Sequence, residues 1–159
     1  MSGQRSIFNR ERLTPSQARE VGRRRLADAI ALIRTGNTRH ANAAMYLGGY
    51  SIECILKARL LEKHPEIQSP FRDDSAPQIA LGRKLVLKGH DLQGLLAALP
   101  EVVRDIKSSR GNEASRVIAG LRWICATWTV FARYSPRNAS LREAEHLVDT
   151  IKEVIPWLA

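Results

Sequence analysis

A chain of 159 residues is one domain's length, enough to bury a core of about four to six helices and too short for a large multidomain enzyme. Apolar residues make up 44% and charged residues 26%, which suits a folded, soluble chain, while only three each of Trp, Tyr and Phe argue against a β-sandwich or barrel. The net charge is +9, from 25 basic and 16 acidic residues, 19 of them Arg, so binding to a polyanion is allowed, although a plain bias towards Arg codons gives the same count.

Taken in chain order, residues 1–13 read as a basic N-terminal arm and residues 14–159 as a single helical domain. The segment 1–25 holds seven arginines against two glutamates. Thr14-Pro15-Ser16-Gln17 is a helix start, with Thr14 as cap, Pro15 at the first helical position and Gln17 completing a capping box. Leu26, Ala29, Ile30 and Ile33 mark the buried stripe of this helix, and Gly36-Asn37 ends it. Thr38 is expected to cap a second helix that runs to about Lys63, where His64-Pro65 stops it. Residues 64–89, with Pro65, Pro70 and Pro77, read as a long insertion that includes one short helix near Ile79–Leu87. His90 or Asp91 then starts a short helix, Leu92 to Leu99, closed by Pro100, and Ser108 to Asn112 reads as a loop.

Val117, Leu121, Ile124, Trp128 and Phe131 keep helical spacing, so one helix is expected to carry all five and to end at Arg133-Tyr134-Ser135-Pro136. Ser140-Leu141-Arg142-Glu143 is a second capping box. Ala144, Val148, Ile151, Ile155 and Leu158 stripe the last helix, whose other face is acidic. No segment alternates at period two. The predicted fold class is therefore all-α: an antiparallel up-and-down bundle of about five helices with one long inter-helix insertion. No apolar run reaches the ~20 residues that a membrane helix needs, and the first residues hold no apolar secretion-signal core. Cys54 and Cys125 lie in apolar helical context and read as reduced core thiols, so the expected location is cytoplasmic.

The second helix is apolar nearly all round, which demands burial among neighbours. One line of it differs: Tyr46, Tyr50, Glu53 and Lys57 stack along a single seam, and Glu53 to Lys57 is the favourable order for a pair four residues apart. A carboxylate in such a helix must be compensated, so the seam is either a buried ion pair that fixes helix register or part of a phosphate or nucleotide site. Gly48-Gly49 predicts close approach of another helix, from this chain or from a second subunit. His90 reads as a capping or packing residue. Trp123 and Trp128 read as core or dimer surface rather than as a base-stacking platform, and Trp157 as a packing anchor. There is no Gly-rich phosphate loop, no zinc-type Cys spacing and no His-Glu-x-x-His, so no metal or cofactor is expected.

Three stretches resemble the HEPN family of small helical bundles: AAMYLGGYSIECILKA from Ala43 to Ala58, GHDLQGLL from Gly89 to Leu96, and ARYSP from Ala132 to Pro136. Their order also fits, and the likeness spans about residues 14–157. The resemblance implies a homodimer and one of three roles. These are a nucleotide- or RNA-binding and assembly module, paired with a nucleotidyltransferase-type protein in a toxin–antitoxin or defence system; a metal-independent RNase toxin with a non-standard His; or a purely structural partner protein. RNase members of the family carry Arg, four to six residues, then His near the start of the last helix; the Arg holds the scissile phosphate and the His moves a proton. Neither Arg133 nor Arg137 is followed by His at that spacing, and His146 lies nine positions after Arg137 and four after Arg142. Enzymatic activity is thus disfavoured, with Arg133 and His146 as the remaining catalytic candidates. The expected ligand-binding set is Arg133, Tyr134 and Arg137 at the corner before the last helix, braced by Glu53 and Lys57.

Overall fold

A computed structural model describes residues 13–65, 89–109 and 111–158. Six α-helices are found among them and no strand: α1 (Pro15–Arg34), α2 (Ala41–Lys63), α3 (Leu92–Ala97), α4 (Pro100–Ser108), α5 (Glu113–Thr127) and α6 (Leu141–Val154). Short 3₁₀ turns occupy Thr38–His40, Val130–Tyr134 and Ile155–Trp157. None of the described helices is long and apolar enough to cross a membrane. The expected arm before residue 13 and the expected short helix at 79–87 lie outside the described residues.

Both capping boxes form as the sequence requires. Thr14 Oγ1 accepts from the Gln17 amide at 3.2 Å while Gln17 Oε1 accepts from the Thr14 amide at 2.9 Å. Ser140 and Glu143 repeat the exchange at α6. At α2 the start differs from expectation. Asn37, not Thr38, is the capping side chain, accepting from the Arg39 amide at 3.0 Å, and it caps a 3₁₀ turn that feeds into α2 at Ala41.

Helix α2 is the central rod. It packs against α1, α3, α6 and the Val130–Tyr134 turn, and is buried from Gly48 to Leu56 with the exception of half-buried Tyr50. A helix that is apolar on nearly all sides is stable only when buried among neighbours. Helix α1 meets it through the small residues Ala18, Gly22 and Ala29; Leu26, Ile30 and Ile33 are only half-buried, so the true contact stripe of α1 is narrower than its aliphatic residues suggest. Helix α6 is amphipathic, burying Ala144, Leu147, Val148, Ile151 and Val154. The chain-neighbour question at Gly48-Gly49 is answered within this chain. A side chain at Gly48 would meet Ile151 and Val148 of α6, and one at Gly49 would collide with the indole of Trp128.

Two expectations fail here for physical reasons. Pro100 opens a helix instead of only closing one: it sits at the first position of α4, whose Val102 and Ile106 are buried. Ion pairs Lys63–Glu101 (2.5 Å) and Arg59–Asp105 (3.2 Å) tie α4 to the end of α2. Helix α5 ends at Thr127, and Trp128 is its extended C-cap. The chain changes direction there, so Trp128 is buried while Phe131 is 71% exposed, and the apolar period from Val117 to Phe131 does not mark one helix.

Candidate functional site

The seam of α2 is real and carries a connected row of polar and aromatic groups. Tyr46 and Tyr50 stack with centroids 6.1 Å apart and ring planes within 5°. One turn further on, Glu53 is 1% exposed, and its Oε1 accepts from Lys57 Nζ at 2.6 Å. Lys57 also donates to the Gly89 carbonyl at 2.8 Å. His90 completes the group, with Nδ1 3.1 and 3.0 Å from the two Glu53 oxygens and its ring 6.4 Å from that of Tyr50. A carboxylate can only accept, so the Nδ1 proton belongs to this bond. Glu53 is thus a buried anion with an ammonium and an imidazole as partners, which is the condition for tolerating it inside a bundle. Burial pushes the neighbouring Tyr50 phenol up to about 12 and the Cys54 thiol up to about 11.

At the other end of the seam stands Arg133, in the 3₁₀ turn between α5 and α6. Its guanidinium lies 4.5 Å from the Tyr134 ring centroid and 5.5 Å from that of Tyr46. It donates to the Tyr134 hydroxyl, and to the Tyr46 hydroxyl at 3.3 Å. These acceptors, Tyr134 first, raise its already high pKa and keep it cationic. Arg133 has no carboxylate partner among the described residues. It is an oriented, exposed cation held by two neutral phenols.

The five expected binding residues are therefore distributed as follows. Arg133 and Tyr134 meet the seam at Tyr46, two helical turns from Glu53. Glu53 and Lys57 make their contacts with His90 and Gly89, so they reach the corner only through the Tyr46–Tyr50 stack. Arg137 pairs with Glu143 at 3.0 Å at the start of α6. His146, the other catalytic candidate, packs its ring on Trp123 of α5 at 4.9 Å, and no described hydrogen bond, ion pair or ring contact joins it to Arg133. No cluster of metal-ligating side chains occurs among the described residues.

Two residues gain roles that the sequence did not signal. Asn42 clamps the corner: its Nδ2 donates to the Arg137 carbonyl at 2.8 Å and its Oδ1 accepts from the Ala139 amide at 2.7 Å. His90, read from sequence as a cap, is Glu53's partner, while Asp91 is the cap of α3, accepting from the Gly94 amide at 3.0 Å. No short-range spacing could reveal a pair 37 residues apart. No protein-family model, no curated protein and no solved structure matches the chain.

Proposed function

We propose that the chain is a HEPN-like binding and assembly module that takes the phosphate of a nucleotide or RNA at Arg133. The observation that carries the reading is the unpaired guanidinium of Arg133, held in place by Tyr46 and Tyr134. A cation already oriented by neutral groups loses little freedom on binding, and an Arg fork matches two phosphate oxygens. Tyr134, 65% exposed, supplies a ring face beside it for a base. The net charge of +9 favours the same class of ligand. The proposed bundle is antiparallel and up-and-down, as in the family it resembles.

The same reading proposes a homodimer. Exposed Trp123 and Phe131 line one groove at the α5–α6 corner, and adjacent exposed aromatics mark contact surfaces. A nucleotidyltransferase-type protein is a proposed further partner, in the cytoplasm.

Fluorescence anisotropy with a labelled single-stranded RNA, repeated over a salt series, tests the binding reading. Arg133→Ala should weaken binding about tenfold and make the slope of log K against log salt shallower by about 0.7. Unchanged affinity and slope would refute it. Incubation of tRNA in EDTA addresses the competing enzymatic role: fragments that vanish with His146→Ala would favour an RNase.

A further inference from the structure

Two features of His90 exceed what a buried ion pair needs. Lys57 already supplies a full positive charge to Glu53 at 2.6 Å, yet a second partner is present. That partner is 45% exposed, although the carboxylate it serves is 1% exposed. The imidazole is also fixed on several sides. Glu53 takes Nδ1 with both oxygens, Lys57 anchors the carbonyl of the preceding residue Gly89, and the Tyr50 ring packs beside it. Its other nitrogen, Nε2, has no partner among the described residues. With the proton committed to Nδ1, Nε2 of the neutral ring is a hydrogen-bond acceptor of fixed direction. Such a half-exposed acceptor suits a hydroxyl donor on a ligand.

The seam supplies the second element. Arg133 grips the Tyr46 end and His90 stands at the Glu53 end, and these two anchor residues of α2 lie seven positions apart, a rise of about 10 Å along the helix. A single phosphate does not span that distance, whereas a short strand of nucleic acid does. A ribose carries a 2′-hydroxyl that can donate, and a deoxyribose does not. We infer that His90 makes this site selective for RNA over DNA, its Nε2 accepting from a ribose 2′-hydroxyl of a single strand whose phosphate is held by Arg133. The inference rests on the proposed phosphate binding at Arg133 and adds the sugar to it. Glu53 and Lys57 act through His90 as positioning residues.

The test compares one labelled oligonucleotide sequence in ribose and deoxyribose form, by anisotropy on the full chain. The wild type should bind the RNA about threefold to tenfold more tightly than the DNA, the worth of one neutral hydrogen bond. His90→Asn should bring that ratio close to one. The Asn amide nitrogen stands where Nδ1 does and keeps the bond to Glu53, but nothing replaces Nε2. His90→Ala, with circular dichroism to check folding, provides a second route if the Asn variant is unstable. A wild type that binds RNA and DNA equally overturns the inference and leaves the phosphate reading standing, as does an RNA preference that survives both His90 variants. A wild type that binds neither strand overturns both.

Discussion

Gly49 offers a sharp test of the packing described above, because Gly48 beside it is an internal control. Both lie in the interior of α2, so replacement by Ala gains each the same helix propensity, about 1 kcal/mol. They differ in what the new methyl meets. At Gly48 the nearest atom is the tip of a flexible side chain, Ile151 Cδ1, at 3.1 Å. At Gly49 the three nearest atoms all belong to the Trp128 indole and lie well inside 3.0 Å. The indole is rigid and 6% exposed, so it cannot give way by a few tenths of an ångström and must leave its slot. Losing a buried Trp costs about 3–5 kcal/mol, so Gly49→Ala should destabilise by a net of about 2–4 kcal/mol. Gly48→Ala should fall within about 1 kcal/mol of wild type. Urea unfolding followed by circular dichroism and Trp fluorescence reads both. Trp128→Leu combined with Gly49→Ala should cost less than the two single changes added. Equal stability of the two Gly variants would refute the account of how α2 receives the α5–α6 corner.

Lys57→Met leaves Glu53 buried with only His90 beside it and should cost about 3–5 kcal/mol in chemical denaturation, whereas Glu53→Gln, which removes the charge, should cost less. The reverse ranking would contradict an ionised Glu53. Asn42→Ala removes both bonds of the clamp and should lower stability by about 0.5–1.5 kcal/mol and speed hydrogen exchange at Ala139; an unchanged exchange rate would show the clamp to be idle. Burial pushes the Cys54 thiol up to about 11 and Cys125 up to about 12. The reactive thiolate forms only as pH rises towards those values, so at about pH 8 both should react with an aromatic disulfide reagent far more slowly in the native chain than in denaturant. Equal rates would place the thiols at the surface.

How far the sequence was readable follows from the range of the interactions concerned. The capping boxes at Thr14 and Ser140 are local exchanges over three residues, and each forms as read. The extent of α2 up to Lys63 was legible too, because His64-Pro65 is a local stop. Pro100 was ambiguous: the same ring that ends one helix suits the first turn of the next, and the short amphipathic run after it was missed. The register of Trp128 and Phe131 misled because helical spacing persists in sequence after the backbone has turned at Trp128. At the candidate site the Tyr46–Lys57 line was visible as a helical period. Arg133 joining it at Tyr46 and His90 joining it at Glu53 are tertiary contacts across 87 and 37 residues, which no local pattern encodes.

The bond from Lys57 to the Gly89 carbonyl has an architectural corollary. The chain departs from α2 at Lys63 and is moored again to the same rod at Lys57, less than two turns back. Both moorings belong to one rigid element, so the gap between them is set by α2 alone. Closing a chain between two fixed points costs only about 0.6 kcal/mol more for each doubling of its length. One helix thus holds both the point where the chain leaves it and the point where the chain is fastened again, so α2 alone sets where Gly89 and His90 stand.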